Sequence, residues 1–183
     1  MQNKDDFKLI DEFIEGDRKA FNTLAERYKR KIYMTAYRIL GNHEDADDIT
    51  QEVIIKMYNN LNNFRKESSI FTWLYKITTN LSLNELKRKK LKNFFSLDTI
   101  EGYLAEEKTS SVEVRISDRE LSKQIQDAIN KLPPKQRVVF TLRFYEELPY
   151  EEISKILGTS VGALKANYFH AFNKMVKELK NVM

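Results

Sequence analysis

Residues 150–179, YEEISKILGTSVGALKANYFHAFNKMVKEL, decide the fold. Ile153, Ile156 and Leu157 recur at helical spacing, Gly158-Thr159 interrupts the run, and Thr159 or Ser160 stands where it caps a second, longer helix. Ser154 is small where the two helices must cross, the glycine sits at the turn, and Leu164 follows it six positions on. These offsets are the signature of a helix-turn-helix, whose second helix enters a DNA groove. In that helix Val161, Leu164, Tyr168, Ala171, Phe172, Met175, Val176 and Leu179 form the inward stripe. Gly162, Ala163, Ala166, His170, Asn173, Lys174 and Lys177 point outward behind the cap residue Ser160, with Lys165 and Phe169 on the edges. Small residues at Gly162, Ala163 and Ala166 allow close approach to base edges, and lysines reach phosphates. Phe169 either meets a thymine methyl or widens the core stripe.

Upstream, Leu121, Ile125, Ala128, Ile129 and Leu132 form a helical pattern that Pro133-Pro134 stops. Pro134 suits the first turn of a further helix carrying Val138, Val139, Leu142 and Phe144, before a turn over 146–150. The N-terminal half is helical as well. Phe7, Ile10, Phe13 and Ile14 run up to Gly16, and Asp17 caps a helix with Phe21, Leu24, Tyr28, Ile32, Ala36 and Ile39 on one face, ending at Gly41. Asn42 opens a third helix to about Asn60, burying Ala46, Ile49, Val53, Ile54, Met57 and Leu61. Asp45, Asp47, Asp48, Gln51 and Glu52 occupy its other half, an acidic strip suited to a basic partner helix. After the polar break LNNFRKESS (61–69), Ser68 or Ser69 caps a fourth helix whose buried stripe is Ile70, Trp73, Leu74, Ile77 and Leu81. The same azimuth continues into Asn84 and Arg88, so that helix projects with five basic residues among 87–92.

Composition agrees with an all-α chain. Among 183 residues there are 5 Gly and 3 Pro, too few for a turn-dense β architecture, and no Cys, which excludes disulfides and zinc-thiolate sites. With His43 and His170 the only imidazoles, no metal or cofactor site and no catalytic residues are expected. No apolar run reaches the ~20 residues of a membrane span, and the N-terminus lacks a signal peptide's apolar region, so a cytoplasmic protein without membrane insertion is expected. The net charge of +4 is segregated. Residues 1–92 carry 18 basic and 14 acidic side chains, 93–120 carry 3 and 7, and 121–183 carry 10 and 6, or +4, −4 and +4. Two basic blocks flanking an acidic one fit two modules that face polyanions, joined by a linker over 93–118 where the periodicity is lost.

The residues leave two further readings open. A free-standing helix-turn-helix regulator with a helical sensory domain explains 134–180 but not the acidic strip. A nucleic-acid-processing enzyme needs a metal cluster, for which Asp45, Asp48 and Glu52 are the candidates.

Two blocks carry a family resemblance. DADDITQEVIIKMYNNLNNFRKESSIFTWLYKITTNLSLNELKRKK (45–90) and LPPKQRVVFTLRFYEELPYEEISKILGTSVGALK (132–165) together resemble the extracytoplasmic-function (ECF) sigma factors of bacterial RNA polymerase. The resemblance implies two small helical domains without a sigma-3 domain between them: a sigma-2-like four-helix domain (1–92) and a sigma-4-like helix-turn-helix domain (119–183), joined by the acidic linker (93–118). It assigns Asp45, Asp48, Gln51 and Glu52 to docking on the β′ clamp coiled coil of core polymerase. Asn62, Phe64, Arg65 and Lys66 match the loop that captures a base flipped from melted −10 DNA, and Asn80, Asn84 and Arg88 line the same single-stranded path. Ser160, Gly162, Ala163, Lys165, Ala166, Asn167, Phe169, His170 and Lys174 fall on the helix that reads −35 duplex DNA. The β flap, promoter DNA and an anti-sigma factor are the other partners implied, with the linker threading toward the RNA exit path. VGALKANYFHAF (161–172) departs from the commoner VGTVKSRLSRAR pattern by Asn167 and His170 in place of Arg. Weak −35 binding with a shallow salt dependence is therefore expected of this domain alone.

Overall fold

A computed structural model describes residues 2–96 and 116–180. Most of the segment read as an acidic linker, 97–115, lies outside the described residues. The order is α1 (Gln2–Ile14), α2 (Arg18–Leu40), α3 (His43–Asn60), a short 3₁₀ turn at Leu61–Asn63, α4 (Ile70–Ser96), α5 (Ile116–Asn130), α6 (Pro134–Phe140), a wider helical turn at Thr141–Tyr145, α7 (Tyr150–Leu157) and α8 (Val161–Lys180). Local chemistry sets the boundaries. Asp17 accepts from the Lys19 amide at 2.8 Å, Asn42 from the Asp45 amide at 3.0 Å, and Ser69 Oγ from the Thr72 amide at 3.0 Å, each satisfying a donor that the first turn leaves orphaned. Gly41 and Gly158 close α2 and α7 in the left-handed conformation that a side chain disfavours.

Helices α1–α4 surround one core of Ile10, Leu24, Tyr28, Ile32, Ala46, Val53, Met57, Ile70 and Leu74. Helix α2 lies at its centre, which is why its stripe is buried from Ala20 to Leu40. In the C-terminal unit Ala128, Ile129, Leu132, Phe140, Ala171 and Met175 form a smaller core.

The sequence pattern gives no sign that the two units pack together, and they do. Ile39 and Tyr75 of the first unit sit in one cluster with Val138, Val139, Leu142, Ile153, Ile156 and Leu164 of the second. Polar bonds frame this seam. Arg137 Nη1 donates to the Ile39 carbonyl at 2.8 Å and Gln126 Nε2 to the Arg38 carbonyl at 3.3 Å, so α5 and α6 satisfy carbonyls that the end of α2 leaves free. Glu146 accepts from Thr35 Oγ1 at 3.1 Å, Arg38 Nη1 at 2.8 Å and Tyr75 OH at 2.7 Å.

The seam explains the main departures from the sequence pattern. Thr72, Tyr75, Thr79 and Ser82 of α4, which fall outside the expected stripe, are buried. Thr79 tolerates burial by bonding back to the Tyr75 carbonyl at 2.8 Å. Trp73, Ile77 and Leu81 are only partly buried. Conversely Leu121, Phe144, Phe172 and Val176, expected inside, are exposed. Among the described residues, α5, α6 and α7 do not cover a full half-cylinder of the 20-residue α8, and the flank at 172 and 176 is left open. Phe169 is 62 % exposed, so it does not widen the core.

Candidate nucleic-acid and partner interfaces

On α3 the buried Ala46, Ile49, Val53 and Met57 face α2, which leaves Asp47, Asp48, Gln51 and Glu52 exposed. Asp45 differs. Its side chain is 16 % exposed and pairs with Lys89 of α4, tying the start of α3 to the basic tail. Asp45, Asp48 and Glu52 therefore do not converge, and among the described residues no three His, Asp or Glu side chains group to hold a metal. Ile55, one turn beyond Gln51 and Glu52, is 59 % exposed, and Tyr58 follows it. Ile55 is in neither the inward nor the outward set of the sequence pattern; its angle on the helical wheel beside Gln51 and Glu52 is the signal for its exposure. Beside this strip, a cleft of about 330 Å³ on the α2–α3 seam is lined by Glu26, Lys29, Arg30, Tyr33, Asp47 and Thr50.

The second surface is the loop 62–69 with the outer face of α4. Asn62, Asn63 and Arg65 are exposed, and Arg65 makes no ion pair among the described residues. Phe64 is partly buried, its ring 5.3 Å from Trp73 and 6.5 Å from Phe7. Lys66 is turned toward α1, where it pairs with Asp11. Asn80, Asn84 and Arg88 are exposed along α4. Arg88 holds Glu85 bidentately at 2.7 and 2.8 Å, which raises the guanidinium's pKa and lowers the carboxyl's. Its charge is thus half-committed before any phosphate arrives.

The third surface is the N-terminal half of α8. Ser160 Oγ accepts from the Ala163 amide at 3.4 Å, and Gly162, Ala163, Lys165, Ala166, Phe169 and His170 are all exposed. Lys165 is exposed, its ammonium 5.8 Å from the ring centre of Tyr150 at the start of α7. Asn167 bends back to the Ala163 carbonyl at 2.8 Å, and Lys174 donates to the Lys131 carbonyl at 2.7 Å, capping the end of α5. Both are occupied within the chain, so the outer face presents Lys165, His170 and a bare aromatic ring.

The Sigma-70 region 2 family model matches residues 24–92 and the Sigma-70 region 4 model residues 122–175. The chain is 34 % identical over 188 residues to the ECF RNA polymerase sigma factor SigW of Bacillus subtilis, covering 96 % of this chain and 97 % of that protein. It is 30 % identical over 189 residues to the RNA polymerase sigma-H factor of Pseudomonas aeruginosa, covering 100 % and 98 %. Among solved structures it shares the fold of CnrH in complex with the cytosolic domain of CnrY, with a TM-score of 0.70, 21 % identity and coverage of 97 % and 98 %. It also shares the fold of the sigma factor RpoE in complex with the anti-sigma factor NepR from Bartonella quintana, with a TM-score of 0.69, 20 % identity and coverage of 88 % and 98 %.

Proposed function

The chain belongs to the ECF RNA polymerase sigma factors, and from that membership we propose how its surfaces divide the work. It binds core RNA polymerase and promoter DNA and directs promoter-specific initiation in the cytoplasm. The nucleotidyl chemistry stays with the polymerase. Residues 1–92 act as the sigma-2 domain, 93–118 as an acidic tether and 119–183 as the sigma-4 domain. Asp48, Gln51 and Glu52, with Ile55 one turn further along α3, dock on the β′ clamp coiled coil; an apolar contact beside charged ones gives such a surface both affinity and register. Asn62, Phe64, Arg65 and Lys66 form the loop that takes a base from melted −10 DNA, and Asn80, Asn84 and Arg88 guide the strand. An amide, aromatic and cationic surface suits unstacked bases, which offer π faces and hydrogen-bonding edges. Gly162, Ala163, Lys165, Ala166, Phe169 and His170 read the −35 duplex. An anti-sigma factor is a further proposed partner.

The observation that carries this reading is the acidic strip with an exposed isoleucine on the same chain as an exposed recognition helix. A duplex-DNA regulator has no use for the first.

The seam between the units sets a condition on this function. Positions −35 and −10 are about 25 base pairs, or ~85 Å, apart on B-form DNA. A compact body of this length has a radius of gyration of about 16 Å. The packed form cannot touch both elements, so the seam must part when the holoenzyme engages a promoter.

A pull-down with core polymerase tests the reading. The wild-type chain is retained, and Asp48→Ala with Glu52→Ala lowers retention at least tenfold. Failure of the wild type to bind core, together with tight binding to duplex DNA alone, would establish the helix-turn-helix regulator instead.

A further inference from the structure

Helix α1 is fastened firmly enough to act on what it touches. Asp6 is fully buried, accepts from Tyr28 OH at 2.7 Å and pairs with Arg27, which also holds Asp5 at 2.7 Å. At its other end Phe13 packs on Phe21 at 5.5 Å and edge-on to Tyr58 at 5.6 Å. Between these anchors, Phe7 and Asp11 lie one turn apart and reach the loop 62–69. The Phe7 ring meets Phe64, which rests in turn on Trp73. Lys66 has a left-handed backbone, φ +57°, an uncommon conformation for a residue other than glycine. Its side chain reaches α1: the ammonium lies 5.8 Å from the Phe7 ring centre and pairs with Asp11. Phe64 is partly buried and the Lys66 side chain, though exposed, is engaged by α1, while Asn62, Asn63 and Arg65 are exposed.

We propose that α1 is the positioning element of the −10 loop, with Phe7 and Asp11 fixing Phe64 and Lys66 so that Asn62, Asn63 and Arg65 meet the single-stranded base. This rests on the reading of 62–69 as the base-capturing loop. Lys66 then works through Asp11 rather than through a phosphate, and Asp11 is a specificity determinant although it touches no DNA.

The test uses holoenzyme assembled from core polymerase and the full chain, and fluorescein-labelled single-stranded non-template oligonucleotides spanning the −10 element of a mapped promoter. One oligonucleotide is unaltered, and others carry a single base substitution each. Asp11→Asn, a change at an exposed position, weakens binding of the unaltered strand about fivefold, the factor that ~1 kcal/mol makes in an equilibrium. It also shrinks the penalty for substituting the captured base, while core affinity and −35 duplex binding stay at wild-type values. A general loss of stability would move all of these together. The exchanged pair Asp11→Lys/Lys66→Asp recovers binding to within about twofold, since a tether works in either polarity. The proposal is overturned if Asp11→Asn keeps both affinity and base discrimination, or if the exchanged pair binds no better than Lys66→Asp alone. Asn62→Ala and Arg65→Ala separate the two layers. If they weaken binding and Asp11→Asn does not, only the role of α1 falls; if they too have no effect, the loop reading falls and takes this inference with it.

Discussion

Glu146 accepts three hydrogen bonds, all from the N-terminal unit, and its side chain is 12 % exposed. Replacing it by alanine strands the Arg38 guanidinium and the Tyr75 hydroxyl against an apolar seam. The expected loss is about 2 kcal/mol, measured by urea unfolding, because hydrogen bonds to a charged group contribute ~1.5–3 kcal/mol each and Arg38 keeps partial access to water. Tyr75 adds a pH dependence. Burial, and then the neighbouring Glu146 carboxylate, push its phenol up from its ordinary 10.0, and burial beside Asp6 does the same for Tyr28. Both protons are held more tightly in the folded chain than in the unfolded one. Their stabilisation is thus complete below pH 10 and is lost as pH rises beyond it, at up to ~1.4 kcal/mol per phenol per pH unit. Tyr75→Phe should make the alkaline decline shallower; an unchanged slope would show that this phenol is not protected. Gly41 is a third such residue. Its φ of +73° suits glycine, and a Cβ there would run into the Asn130 side chain. Gly41→Ala should destabilise by about 1–2 kcal/mol from backbone strain alone, with the seam disturbed as well.

At the scale of elements, caps and stripes were legible because they depend on nearest neighbours along the chain. Asp17, Asn42, Ser69, Gly41 and Gly158 all stand where the pattern places them, and the stripe of α2 is buried throughout. What was not legible was whatever depends on a second element. Thr72, Thr79 and Ser82 look solvated by composition, yet they are buried because α4 packs against α6 and α7 as well as α2 and α3. Phe172 and Val176 look buried by composition, and they are exposed because no helix among the described residues covers them. The same limit applied to function. Asp45 shares the acidic run with Asp48 and Glu52, yet its partner Lys89 is 44 positions away. Asp45→Ala should therefore cost less core affinity than Asp48→Ala, in direct titration of core polymerase with labelled chain. On α8, Lys165→Ala should lower −35 duplex binding and reduce the slope of log K against log salt by about 1, with core affinity intact. Phe169→Ala should weaken −35 binding with little change in that slope, since it removes no charge.

At the scale of the molecule, segregation of charge describes the chain better than its sum. Basic residues flank the proposed nucleic-acid surfaces while α3 carries an acidic strip, which suits a protein partner rather than DNA. The two units share a seam that the proposed function requires to open. Fluorophores at Lys19 and Lys177, outside the docking strip, should transfer energy efficiently in the free chain and lose that efficiency when core polymerase and promoter DNA are added; unchanged transfer would mean that the seam survives in the complex. The central claim, that this chain confers promoter choice on core polymerase, is tested most directly by transcription in vitro on a genomic template library with start-site mapping. The account predicts a set of new start sites, absent with core alone, that share a −35 and a −10 element and disappear with Asp48→Ala/Glu52→Ala. Start sites identical to those of core alone, with the chain still bound to duplex DNA, would contradict it.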